Sequence, residues 1–188
     1  MSIWPRPQEQ PHRPTYAQGI SAESADFAAR HQLGLGVSYG SFELMAQATG
    51  YYRKRCAEYG WEPGVDDIIY RCNMILGASD EEADAALERR SNAQAPFPIA
   101  ANLAKALIEQ DRRNVGGEAR PANVGRVLPI SFCGGPDRVV DQIRRCREEI
   151  GAGVLDLSLQ DPGTGDVGAM MRALELFGEK VLPRIREI

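Results

Sequence analysis

From residue 14 onward, short apolar runs alternate with longer stretches in which apolar residues recur every three or four positions. Pro14-Thr-Tyr-Ala-Gln-Gly19 is an extended run that stops at a glycine. A polar turn, Ile20-Ser21-Ala22-Glu23-Ser24, follows, and the alanine density of Ala25-Asp-Phe-Ala-Ala-Arg-His31 predicts a helix. Leu33-Gly-Leu-Gly-Val-Ser38 predicts a buried strand. Leu44, Ala48, Tyr51, Tyr52, Cys56 and Tyr59 then give one apolar face to a helix from about residue 41 to 59, with Gly60 as its stop. A third strand is predicted over residues 67–76, and Ser79-Asp-Glu-Glu82 has the spacing of a capping box for a helix reaching Arg90.

A helix beginning in Phe132-Cys-Gly-Gly-Pro-Asp137 carries Val139, Ile143, Cys146 and Ile150 on one face. Val154-Leu-Asp-Leu-Ser-Leu159 predicts the fourth strand, and residues 161–165 the loop after it. The last helix carries Val167, Met170, Met171, Leu174, Phe177 and Val181 until Pro183 halts it. Two stretches depart from this rhythm. The prolines of residues 1–13 predict an extended entry segment, and residues 91–131, broken by prolines and a glycine pair, predict an insertion. Four strand-then-helix units without a hairpin signal predict an α/β fold with four parallel strands in chain order and helices outside.

Composition narrows the class. With 188 residues and 22 basic against 26 acidic side chains, the chain reads as one globular domain spanning residues 1–188 and without the charge of a nucleic-acid binder. No apolar run approaches membrane-spanning length and the N-terminus lacks a signal-peptide layout, so a cytoplasmic protein is expected. Cys56, Cys72, Cys133 and Cys146 are too scattered for a zinc or disulfide framework. With two histidines in the whole chain, no metal is assigned.

Two groups of residues carry candidate chemistry. Ser21 and Ser24 sit where a helix begins, and hydroxyls there either cap the helix or converge with its free N–H groups on an anion. Alternation in the third and fourth strands puts Tyr70, Cys72 and Met74, with Leu155, Leu157 and Leu159, under helices. Arg71, Asn73, Asp156 and Ser158 then fall on the opposite face as residues lining the interior, where Arg71 and Asp156 are expected to form a buried, charge-compensating pair rather than to take a direct catalytic role.

The run from Gln10 to His31, the Gly-Gly-Pro-Asp137 helix start, the strand Gly151-Ala-Gly-Val-Leu-Asp-Leu157 and the closing Ala173-Leu-Glu-Leu-Phe-Gly-Glu-Lys-Val-Leu-Pro183 together resemble the bacterial luciferase-like flavin monooxygenases. The resemblance implies a partial (β/α)8 TIM barrel made of approximately the last four units, with the catalytic residues of the first half lying outside this chain. It implies an oxidoreductase using FMN, reduced by a separate flavin reductase, and O2 on a small organic substrate. A deazaflavin-dependent enzyme of the same fold and a non-catalytic half barrel are the alternatives. It also implies that Ser21 and Ser24 contact the flavin phosphate beside Gly19, and that Gln18 points into the barrel mouth, toward the flavin ring or substrate or as a polar rim residue. The insertion is expected to lie over the carboxyl ends of the strands. Completion by the missing N-terminal half barrel or by a homo-oligomer is expected too, because interior positions such as Leu35 and Val37 would otherwise be poorly covered.

Overall fold

A computed structural model describes residues 14–38, 40–93, 130–159 and 166–188. The entry segment 1–13, most of the predicted insertion and the loop 161–165 lie outside the described residues. The elements run β1 (Tyr16–Gln18), α1 (Ala22–Arg30), β2 (Gly34–Ser38), α2 (Phe42–Glu58), β3 (Ile68–Leu76), α3 (Asp80–Ala93), β4 (Phe132–Gly134), α4 (Pro136–Glu149), β5 (Val154–Leu159) and α5 (Val167–Leu176). A π-helical stretch, Phe177–Val181, and a last helical turn, Leu182–Ile185, close the chain.

All strand pairings among the described residues are parallel: β1 with β2, β2 with β3, and β3 with both β4 and β5. The four expected strands therefore lie side by side in chain order. A parallel sheet with alternating strands and helices is consistent with part of a (β/α)8 barrel.

One face of the sheet carries the core. Leu35 and Val37 of β2 and Ile68, Tyr70, Cys72, Met74 and Leu76 of β3 share a buried cluster with Ala25, Ala28 and Ala29 of α1, the apolar face of α2, and Val139, Val140, Ile143 and Cys146 of α4. Leu155, Leu157 and Leu159 pack against it. Leu35 and Val37 are thus fully buried, contrary to the expectation that they would be poorly covered. Their parity turns them toward α1 and α2, and glycines 34 and 36 take the other face. Gly34 is required there, because a Cβ would come within 2.5 Å of the Tyr16 ring. α3 stands apart from this arrangement: Ala83 and Ala86 cover Ile75, which has the parity of Arg71 and Asn73, in a small second cluster.

Polar contacts tie the helices down. The Tyr52 hydroxyl donates to the Leu33 carbonyl at 2.7 Å, and the Trp61 indole N–H donates to the Ala29 carbonyl at 2.8 Å. Thr49 and Arg53 of α2 donate to the Ile150 carbonyl, one of the oxygens that a helix end leaves without an intrahelical donor.

The structure departs from the sequence expectations in two further elements. Phe132–Gly134 is a strand rather than the opening of a helix. The Gln142 side chain of α4 accepts from the Cys133 N–H at 2.9 Å and donates to its carbonyl at 3.0 Å, serving that edge as a neighbouring strand would. Pro183 does not end the last helix. The Leu182 N–H reaches back to the Phe177 carbonyl, and this wider turn precedes the proline, which has no N–H to give. The apolar stripe of the closing helical run is also only partly used: Val181 of the π-helical stretch is buried, but Val167, Met171 and Leu174 of α5 are at least half exposed.

Tyr52→Phe leaves the Leu33 carbonyl without its donor and is expected to cost about 1–2 kcal/mol in urea-monitored unfolding. Paired Met171→Glu and Leu174→Glu substitutions are expected to lower the binding of an apolar dye while moving the unfolding free energy by no more than about 0.5 kcal/mol.

Candidate flavin-phosphate turn and the open sheet face

The turn between β1 and α1 is built by a close approach. Gly19 has φ +152°, and a Cβ placed on it would lie 2.5 Å from Ser24 Oγ and 2.8 Å from Ser24 Cβ. The Gly19 N–H meanwhile donates to the Gly36 carbonyl at 2.9 Å, continuing the β1–β2 pairing by one residue. Ser21 caps α1: its backbone is extended and its Oγ accepts from the Ser24 N–H at 3.2 Å. The two hydroxyl oxygens lie 3.1 Å apart.

This geometry fits an oxyanion. A hydroxyl has one proton to give, and a contact between two hydroxyls uses one of the two, so the pair retains a donor. The N–H groups of Ala22 and Glu23, in the first turn, have no intrahelical acceptor by position and add the positive end of the helix dipole. Capping is therefore present in the structure, and it leaves donors for an anion at the same turn.

The second group lies on the face of the sheet away from the main core. Arg71 stands in register with Asp156, and Asn73 with Ser158. Arg71 Nε and Asp156 Oδ2 are 3.5 Å apart, with side chains 50% and 53% exposed, so the expected pair forms in a solvated setting rather than a buried one. Such a pair contributes at most about 1 kcal/mol. Asn73, by contrast, is buried.

A shallow cavity of about 170 Å³ joins Tyr16, Gln18, Gly36, Ile69, Arg71 and Asp156. Gln18 donates from Nε2 to Ser38 Oγ at 3.3 Å, linking the carboxyl ends of β1 and β2. The sheet thus brings Gln18 beside Arg71 and Asp156, and the turn brings Gly19, Ser21 and Ser24 together. Tyr16, Gly36 and Ser38 were missed by the sequence reading. Strand alternation carried the signal for Tyr16, which shares a face with Gln18 on β1, whereas Gly36 and Ser38 share a parity on β2 at which no residue had been singled out. Tyr16 donates its phenol proton to the Asp66 carbonyl at 2.6 Å, and burial, aided by the Asp67 and Asp66 carboxylates, holds its pKa above the ordinary phenol value.

The family model described as luciferase-like monooxygenase matches residues 1–153. The chain belongs to the luciferase-like monooxygenase family. No curated protein matches it. Among solved structures, the monooxygenase RslO1 from Streptomyces bottropensis is 23% identical with a TM-score of 0.62, the alignment covering 96% of this chain and 50% of that one. The oxygenating constituent of 3,6-diketocamphane monooxygenase from Pseudomonas putida, in complex with FMN, is 18% identical with a TM-score of 0.59, covering 90% and 48%. The coenzyme F420-dependent tetrahydromethanopterin reductase from Methanopyrus kandleri is 18% identical with a TM-score of 0.56, covering 92% and 51%. These likenesses establish the fold, and this chain spans about half the length of each structure.

Gly19→Ala is expected to destabilise the chain by about 1–3 kcal/mol, because both the backbone angle and the Ser24 side chain oppose a Cβ. Adding Ser24→Ala should restore less than half of the loss in thermal unfolding, since the Ser24 Cβ itself stands in the way.

Proposed function

We propose that this chain is the carboxyl-terminal half of an FMN-dependent monooxygenase barrel, its four units being approximately the last four, and that it holds the flavin phosphate at the β1–α1 turn. The observation that carries this reading is the convergence of the Ser21 and Ser24 hydroxyls with the first N–H groups of α1 at a turn that Gly19 keeps open. Family membership supplies the chemical class.

In this reading Ser21 and Ser24 donate to the phosphate, the Gly19 backbone lets it approach, and Gln18 faces the ring edge or the substrate. Arg71 and Asp156, with Asn73 and Ser158 one step further along, line the interior as a polar layer. Reduced FMN, delivered by a separate reductase, supplies the electrons that activate O2 for transfer of an oxygen atom to a small organic substrate. The missing first half of the barrel, or a second copy of this chain, completes the enclosure that keeps water out.

A deazaflavin in place of FMN is the second reading, supported by the likeness to an F420-dependent reductase in the same range of TM-score. A half barrel without activity of its own is supported by the exposed apolar side chains of α5. The described helices include none long and apolar enough to cross a membrane, and the reading places the protein in the cytoplasm.

The test is a flavin titration on the completed barrel carrying Ser21→Ala and Ser24→Ala. FMN is expected to weaken by about 2–4 kcal/mol, the loss of two hydrogen bonds to a charged group, and riboflavin by much less. Equal losses for the two flavins would return both serines to helix capping and remove the phosphate assignment.

A further inference from the structure

Among the described residues the sheet ends in two open edges: β1 pairs with β2 alone, and β5 with β3 alone. The Thr15 carbonyl and the Gly19 N–H are bonded to β2, and backbone groups alternate sides along a strand, so the N–H and C=O groups of Tyr16 and Gln18 point away from it. Such a row is a template for a further strand.

Exposed apolar side chains gather at the same two ends. Phe27 is 53% exposed on α1, the helix after β1, where its ring centroid lies 4.6 Å from that of His31. Val167, Met170, Met171 and Leu174 are exposed on α5, the helix after β5. On α2 and α4, the helices of the two middle units, no large apolar side chain is exposed. The uncovered surface therefore falls where a closed ring of strands and helices would continue. Side chains of this size, about half exposed, leave on the order of 100 Å² each, so these five offer roughly 500 Å² on one chain and about 1,000 Å² in a pair. Strand edges and flanking polar groups carry that total into the range of a specific interface, from about 1,200 Å² upward.

We propose that a second copy of this chain covers both ends, the open edge of β5 in each copy pairing with the open edge of β1 in the other, so that two arcs of strands close into one barrel. A twofold axis along the strands keeps their direction, and the new pairs are parallel like those within the chain. The faces match. β1 of the second copy brings Tyr16 and Gln18 beside Asp156 of β5, polar against polar, and its α1 brings Phe27 to the apolar stripe of α5. The length matches too, since this chain spans about half of each solved structure that shares its fold, and two copies supply one ring. The proposal rests on the reading of this chain as half a barrel and names the partner that completes it.

The test is light scattering of the 188-residue chain, without flavin, from about 1 to about 200 μM. The mass is expected to rise from one chain to two with a micromolar dissociation constant and to stop there, because closure uses both edges of both copies. Apolar dye bound per chain should fall over the same range as the α5 stripe is covered. Phe27→Glu on α1, and Met171→Glu with Leu174→Glu on α5, should each weaken association at least about tenfold, since a pair contains each contact twice. Phe27→Ala and Leu174→Ala should weaken it in the same direction, and they decide the matter where a charged variant fails to fold. A chain that stays single over the whole range, a mass that grows beyond two, or pairing that ignores the substitutions on either helix would each overturn the proposal; pairing that ignores Phe27 alone would mean that the copies meet through α5 on α5. Because the measurement uses no flavin, loss of the phosphate site at Ser21 and Ser24 would leave the pairing standing, and a chain that binds FMN while single would overturn the pairing alone.

Discussion

The pleat of β3 is the constraint on which the other elements depend. This strand pairs with β2 through Ile68–Arg71, with β5 through Ile69–Met74, and with β4 through its last three residues. Side chains alternate across a strand, so a slip of one residue would carry Tyr70 and Met74 to the open face and drive Arg71 under the helices. Tyr70 opposes that slip in two ways. Its ring meets Phe42 and Phe132 edge-on, and its hydroxyl contacts the Gly40 carbonyl and Ser131 Oγ, so one residue joins the start of α2 to the entry of β4. Desolvating the Arg71 guanidinium in that core would cost several kcal/mol more than the exposed pair with Asp156 returns.

The carboxyl ends of the strands repeat one device. Ser21, Ser41 and Ser79 each accept an N–H three residues on, from Ser24, Leu44 and Glu82 respectively. A capping serine follows β1, β2 and β3, whereas Gly135 and Asp166 stand at the starts of α4 and α5, so Ser21 alone would mark nothing. What sets the first turn apart is the second hydroxyl, at Ser24, since close-approach glycines also precede the other two caps at Gly40 and Gly77. In the proposed reading, the phosphate contact would rest on an addition to a shared local motif rather than on the motif itself.

The order of strands was legible because burial on one face imposes a period of two, and the flanking helices impose a period near 3.6. The Arg71 and Asp156 pairing was legible for the same reason, since opposite charges at matching positions of neighbouring strands meet. What escaped was held by contacts distant in sequence or by backbone geometry. β4 is three residues long and owes its outer edge to the Gln142 amide, which no local pattern announces. The π turn before Pro183 looks like a helix stop because proline usually is one, yet the Leu182 N–H finds the Phe177 carbonyl instead. Leu35 and Val37 were assigned to the wrong face although glycines 34 and 36 alternate with them, and the small residues proved to be the ones on the open side.

The half-exposed pair of Arg71 and Asp156 sets a condition on whatever covers the open face. At half exposure both side chains stay in contact with solvent, and the 3.5 Å contact lies in a high-dielectric setting. Closing a barrel over this face would take both groups out of water, and the attraction between two desolvated charges repays that cost only where further hydrogen bonds hold both groups. A covering surface made of apolar side chains would therefore be rejected at this point, whereas one carrying hydroxyls, amides or ordered water would be accepted. The apolar side chains of α5 impose the opposite demand at the periphery, where Val167, Met171 and Leu174 face solvent. A surface that completes this fold would be favoured by polar groups beside Arg71 and Asp156 and by apolar ones beside the last helix.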